Sequence, residues 1–66
     1  MQRVIDYMND GYILHRQLRS SYTYLLHSSK ISPIGVNHRV LPGLLRRDLV
    51  VEMGQDMVSI FYQLSF

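Results

Sequence analysis

The chain contains no cysteine, which excludes a disulfide framework, a thiolate zinc site and a cysteine nucleophile. Its absence fits a reducing compartment such as the cytoplasm. No apolar run approaches the roughly 18–20 residues of a membrane span. The opening "MQRVIDYMND" carries Asp6 and Asp10 and no small-residue cleavage site, so it does not read as a signal peptide. The most telling shortage is of acid. Between Gly11 and Arg47 there is no aspartate or glutamate, yet six of the seven basic residues lie there: Arg16, Arg19, Lys30, Arg39, Arg46 and Arg47. That segment carries +6. The flanks carry −4, Arg3 against Asp6, Asp10, Asp48, Glu52 and Asp56, and together they give the net +2. Segregated charge of this kind predicts a surface potential that the small net value conceals.

Catalytic constellations are also missing. His15, His27 and His38 fall on separate elements with no cysteine or neighbouring carboxylate to complete a metal site. They read as surface or hydrogen-bonded histidines. Ser20, Ser21, Ser28 and Ser29 sit in turn-like sequence, and no G-x-S-x-G motif or partnered base activates one. The stretch "GLLRRD" lacks the glycine-lysine pattern of a phosphate loop. No catalytic residue, metal or cofactor is expected, and an enzyme is the weakest of the functional classes.

What is present is a 66-residue chain, 47% hydrophobic, enough for one small domain over residues 1–66 and near the lower limit for folding unaided. Burial of further apolar surface in a homodimer is left open by so small a core. In "QRVIDYMN", residues 2–9, Val4, Ile5 and Met8 have helical spacing, and "NDG" predicts a stop in which Gly11 takes the left-handed conformation. "YILHRQLRSSYTYLL" then alternates as a hairpin. Tyr12, Leu14 and Leu18 share one face of its first strand, and Tyr22, Tyr24 and Leu26 share one face of its second, with a loop around 18–21. "HSSKISPIG" reads as a connection of turn formers. In "VNHRVLPGLLRRDLV", Asn37 is a candidate N-cap, and Leu41, Leu44 and Leu45 form the apolar stripe of a helix. Pro42 leaves three options: a start at His38 that loses a backbone bond at Pro42, a start near Val40, or a kink. "LVVEMGQDMVSIFYQLS" predicts a second hairpin, with Gly54-Gln55-Asp56 as its turn and Val58, Ile60, Tyr62 and Leu64 alternating on the closing strand.

The expected class is α+β, in the order helix, β-hairpin, helix, β-hairpin. From Val36 to Ser65 the pattern "V-N-x-x-V-L-x-x-L-L-x-R-D-L-V", followed by a turn and "Y-x-L-S", resembles the end of a winged-helix domain. In that family a helix of the form "V-S-x-x-T-V-x-x-L-x-x-R-G-L-V" leads into a hairpin wing that closes with "Y-x-L-T". The N-terminal half is similar to small bacterial and phage winged-helix proteins with a hairpin between two helices. Two departures stand out: Asp48 occupies the usual glycine position, and Pro42 interrupts the helix. The resemblance implies a recognition helix around residues 37–48, a wing over 49–65, and a regulator that binds double-stranded DNA.

On such a helix Arg39, Gly43 and Arg46 fall opposite the leucine stripe, with Arg47 and His38 to either flank. Arginine forks bind phosphates and guanine edges, and glycine lets a backbone approach closely. Asn37 and His38 become candidates for base edges, and Arg16, Arg19 and Lys30 for phosphates. Against this stands the ordinary use of arginine as solubilising charge on an outward face. The acidic wing, Glu52 and Asp56, is poorly suited to a phosphate backbone. Tyr12, Tyr22 and Tyr24 read first as core and cross-strand packing, with stacking on single-stranded bases as their functional alternative. The rival to the DNA reading is a protein–protein adaptor built on the same scaffold.

Overall fold

The computed structural model describes residues 2–66. Helix α1 (Gln2–Asn9) buries Val4 and Met8, one turn apart, against the sheet. It ends as the sequence predicts. Gly11 adopts a φ of 104°, its N–H donates to Met8 O at 3.1 Å, and Tyr12 N–H donates to Tyr7 O at 3.2 Å. This is a Schellman closure with glycine at the left-handed position. Strand β1 (Ile13–Gln17) and strand β2 (Thr23–Leu26) then form the expected first hairpin. Helix α2 (Val40–Arg46) is followed by β4 (Val50–Gln55) and β5 (Ser59–Leu64).

The order departs from the winged-helix expectation at one point. Residues Ile34–Val36, read from sequence as connection, form a strand, β3, antiparallel to β2 with Tyr24 opposite Gly35. The two hairpins therefore do not stand apart. β1 pairs with β5 as well as β2, and all five strands close into one antiparallel sheet in the order β3-β2-β1-β5-β4. Three residues beside Pro33 are too few to show an alternation, and only the waiting edge of β2 makes them a strand.

The sheet has two unlike faces. Leu14, Leu25, Val50 and Tyr62 point to one of them and meet Val4 and Met8 of α1 and Leu41 and Leu44 of α2 in a single core. Leu14, Leu25 and Leu44 are fully buried, each contributing roughly 1.5–3 kcal/mol of apolar transfer. Both helices feed this core, so both lie on the same side. The alternate residues, Ile13, His15, Tyr22, Tyr24, Leu26 and Phe61, belong to the other face, which no helix covers.

The second hairpin turns later than expected. β4 runs through Gly54 and Gln55, with a bulge between Glu52 and Gly54, and the chain reverses at Asp56–Val58. Asp56 Oδ1 organises that turn by accepting the N–H groups of Val58 at 2.7 Å and Ser59 at 2.8 Å. Ile60, Tyr62 and Leu64 alternate towards the core as expected, whereas Val58 lies in the turn and is exposed. Among the described residues, no helix is long and apolar enough to cross a membrane.

Candidate nucleic-acid interface

The basic segment is organised by α2. Of the starts open to it, the helix takes the one near Val40, which puts Pro42 within the first turn, where its missing N–H forfeits nothing. Arg39 is the N-cap, and no side chain caps the helix. The expected capping role of Asn37 is thus corrected: its Oδ1 accepts the Arg39 N–H at 2.9 Å, two residues on, in an Asx turn that leads the chain into the helix. The C-terminus closes like that of α1. Asp48 N–H donates to Leu45 O at 3.1 Å and Leu49 N–H to Leu44 O at 3.0 Å, with Asp48 at a φ of 57° in the left-handed region. Asp48 thus occupies a left-handed position that glycine would fill with less strain.

At about 100° per residue, Leu41 and Leu44 centre the buried stripe and Val40 and Leu45 fall on its flanks. Leu45 was expected within the stripe but is 40% exposed. Arg39 and Arg46, seven positions apart, come back to nearly the same direction, opposite the stripe, and both are exposed. Neither side chain takes a hydrogen bond or ion-pair partner among the described residues. Gly43 corrects the expectation. It is buried rather than open on the outward face. Arg47 is the exposed C-cap.

The remaining predicted cations spread out. Arg16 is half-buried on β1, exposed Arg19 lies in the β1–β2 loop, and exposed Lys30 lies in the β2–β3 loop. His38 and Asn37 are exposed at the junction of β3 and α2, where they line a recess of about 520 Å³ together with Ser20, Ser21 and Tyr22. Among the described residues, no carboxylate lines this recess. His15 and His27 lie on or after the first hairpin, apart from His38, and the described residues hold no group of three metal-ligating side chains.

Sequence reasoning missed the row of rings on the uncovered sheet face. Register places Gly35, Tyr24, His15, Phe61 and Gly54 side by side across all five strands. His15 stacks on Tyr24 with centroids 5.1 Å apart and planes 4° from parallel. Phe61 meets His15 edge-on at 5.1 Å. Tyr22 continues the stack from Tyr24 at 5.2 Å. Tyr12, considered alongside them, belongs elsewhere: it packs edge-on against Tyr7 and His27 beside the core. The alternation in "SYTYLL" and "SIFYQL" carried part of this signal. The pairing of β1 with β5, more than forty residues later, did not show in any local pattern.

Partial burial in the row holds His15 below the usual histidine range, offset in part by the Asp56 carboxylate. Asp56 is itself held below the usual carboxylate range, first by the N–H groups of Ser59 and Val58 and less by His15. His15 Nδ1 lies 3.4 Å from Ser59 Oγ. Comparison of the chain with protein-family models, curated proteins and solved structures finds no match.

Proposed function

We propose that this chain binds double-stranded DNA through α2 and the residues leading into it. The observation that carries the reading is the placement of Arg39 and Arg46. Both are exposed, directed away from the leucines, and without a carboxylate partner among the described residues. A helix is about 10–12 Å across with its side chains, which a major groove about 12 Å wide admits. Arg39 and Arg46 would contact phosphates or guanine edges, Arg47 would flank them, and Asn37 and His38 would reach base edges at the helix entrance. Arg16, Arg19 and Lys30 would supply backbone contacts from the first hairpin and its exit. The acidic second hairpin would stay off the duplex.

One observation favours a protein partner instead. Met57 is 94% exposed and Val58 58% exposed at the tip of that acidic hairpin, and an apolar tip of this kind suits a protein surface better than a phosphate backbone. Binding to random-sequence duplex, followed by fluorescence anisotropy at low salt, separates the two readings. On the DNA reading, replacing both Arg39 and Arg46 by alanine lowers affinity at least tenfold, and replacing Met57 and Val58 by serine leaves it unchanged. Undiminished binding by the arginine variant would overturn the assignment of α2.

A further inference from the structure

The uncovered sheet face is unusual in what it displays. An antiparallel sheet with one solvated face ordinarily turns polar residues outward. Here the outward positions of the strands carry Ile13, His15, Tyr24, Leu26 and Phe61 alongside Gln17, Ser59 and Gln63, and Tyr22 extends the aromatic set. None of the outward positions carries a formal charge. His15, Tyr24 and Tyr22 stack in sequence, with Phe61 edge-on to His15 at the inner end, and the outer member, Tyr22, is 48% exposed. A stack that ends on a half-exposed ring offers a π-face for one more planar group.

What surrounds that ring specifies the group. Tyr22 opens onto the recess of about 520 Å³ that holds Ser20, Ser21, Asn37 and His38. With its Oδ1 committed to the Arg39 N–H, Asn37 keeps its amide NH₂ for donation, and the Ser21 hydroxyl and the His38 ring add hydrogen-bonding groups. Arg19 stands directly before Ser20 in the chain, where it lines a neighbouring recess with Gln17, Met57 and Val58, and Arg39 stands directly after His38; both are exposed. Asp56 lies in the turn that meets the β1–β2 loop, where Leu18 N–H donates to Val58 O at 2.8 Å, and its carboxylate is committed to the Val58 and Ser59 N–H groups. An aromatic platform, neutral hydrogen-bonding groups and flanking cations are what an unpaired base and its two phosphates require.

We infer that this corner of the molecule binds single-stranded nucleic acid: an unpaired base stacks on Tyr22 as the next rung of the ring row, and the adjoining phosphates lie against Arg19 and Arg39. This site goes beyond the duplex contact of α2 because it rests on Tyr22, which that contact does not use, although Arg19, Asn37, His38 and Arg39 are common to both.

The test uses the whole chain, an oligothymidylate of about eight nucleotides, within the range one such platform spans, and an abasic strand of the same length. Wild type binds oligothymidylate with quenching of tyrosine fluorescence and binds the abasic strand more weakly. Tyr22→Ala loses about tenfold in affinity for oligothymidylate and none for the abasic strand, whereas Tyr22→Phe retains wild-type affinity. Because Tyr22 lies outside the core, both variants keep the wild-type circular dichroism spectrum. Arg46→Ala weakens duplex binding and leaves oligothymidylate affinity unchanged, so the two readings fail separately. Three results would each overturn the inference: no binding of oligothymidylate by wild type, equal binding of the abasic strand, or a Tyr22→Ala variant that binds as wild type does. A wild-type dimer in sedimentation that Tyr22→Ala converts to monomer would also overturn it, since a second copy would then own the face.

Discussion

Asp48 sits where the fold wants glycine, and the molecule contains its own control. Both helices end in the same hydrogen-bond pattern. The first puts Gly11 at the left-handed position, and the second puts Asp48 there with a φ of 57°. An L-residue in this region costs roughly 1–2 kcal/mol, less for aspartate than for most. Its negative charge beyond the last turn of α2 also opposes the helix dipole, by roughly 0.3–1 kcal/mol. Against these gains, glycine loses roughly 0.5–1 kcal/mol more conformational freedom on folding. Asp48→Gly should therefore stabilise the fold by about 1 kcal/mol, which for a domain of this size raises the midpoint of thermal unfolding by roughly 4–8 °C. The carboxylate takes no partner among the described residues, and the backbone oxygen that accepts the Ser65 hydroxyl is untouched by the substitution. Asp48→Asn removes the charge while keeping a residue that tolerates the conformation, so it isolates the smaller electrostatic part. Asp48→Ala keeps the strain and should fall below Asp48→Gly. Thermal unfolding followed by far-ultraviolet circular dichroism reads all three. A midpoint for Asp48→Gly equal to or below that of wild type would refute the reasoning.

Two further expectations concern the same framework. Gly11→Ala should destabilise by more than about 1 kcal/mol in urea titration, because its φ is 104° and an added Cβ would lie 3.0 Å from His27 Nε2; an unchanged midpoint would contradict this. His15 is held below its ordinary value, so the unfolded chain binds a proton that the folded chain resists. Stability is then full above about pH 6.5 and declines as pH falls from there through the lower folded value. His15→Gln should remove that decline. Asp56, depressed by its backbone hydrogen bonds, adds a separate loss only as pH falls below about 3.8, and unfolding midpoints measured across pH distinguish the two.

Much of the framework was legible in the chain because it is written locally. Val4, Ile5 and Met8 before "NDG" marked α1 and its closure, and the leucine spacing marked α2. The alternation from Ile60 to Leu64 marked the last strand. What was illegible depends on partners distant in sequence. β3 exists because β2 offers an edge to three residues that carry no period of their own. The one-sheet topology exists because β1 accepts β5, a pairing no local window contains. The same gap hid the ring row, whose members Tyr24, His15 and Phe61 come from three separate strands. At the candidate site, the outward placement of Arg39 and Arg46 followed from helical spacing. Gly43 did not follow it, because spacing gives direction around a helix and says nothing of what lies across a bare backbone.

The central claim, that exposed cations of the central segment meet a phosphate backbone, is tested most directly by the salt dependence of wild-type binding to duplex DNA. Each phosphate neutralised contributes about −0.9 to the slope of log K against log salt. Contact by Arg39 and Arg46 predicts a slope of about −2, steeper if Arg47 or Arg19 joins them. A slope near zero, or no binding at low salt, would contradict it.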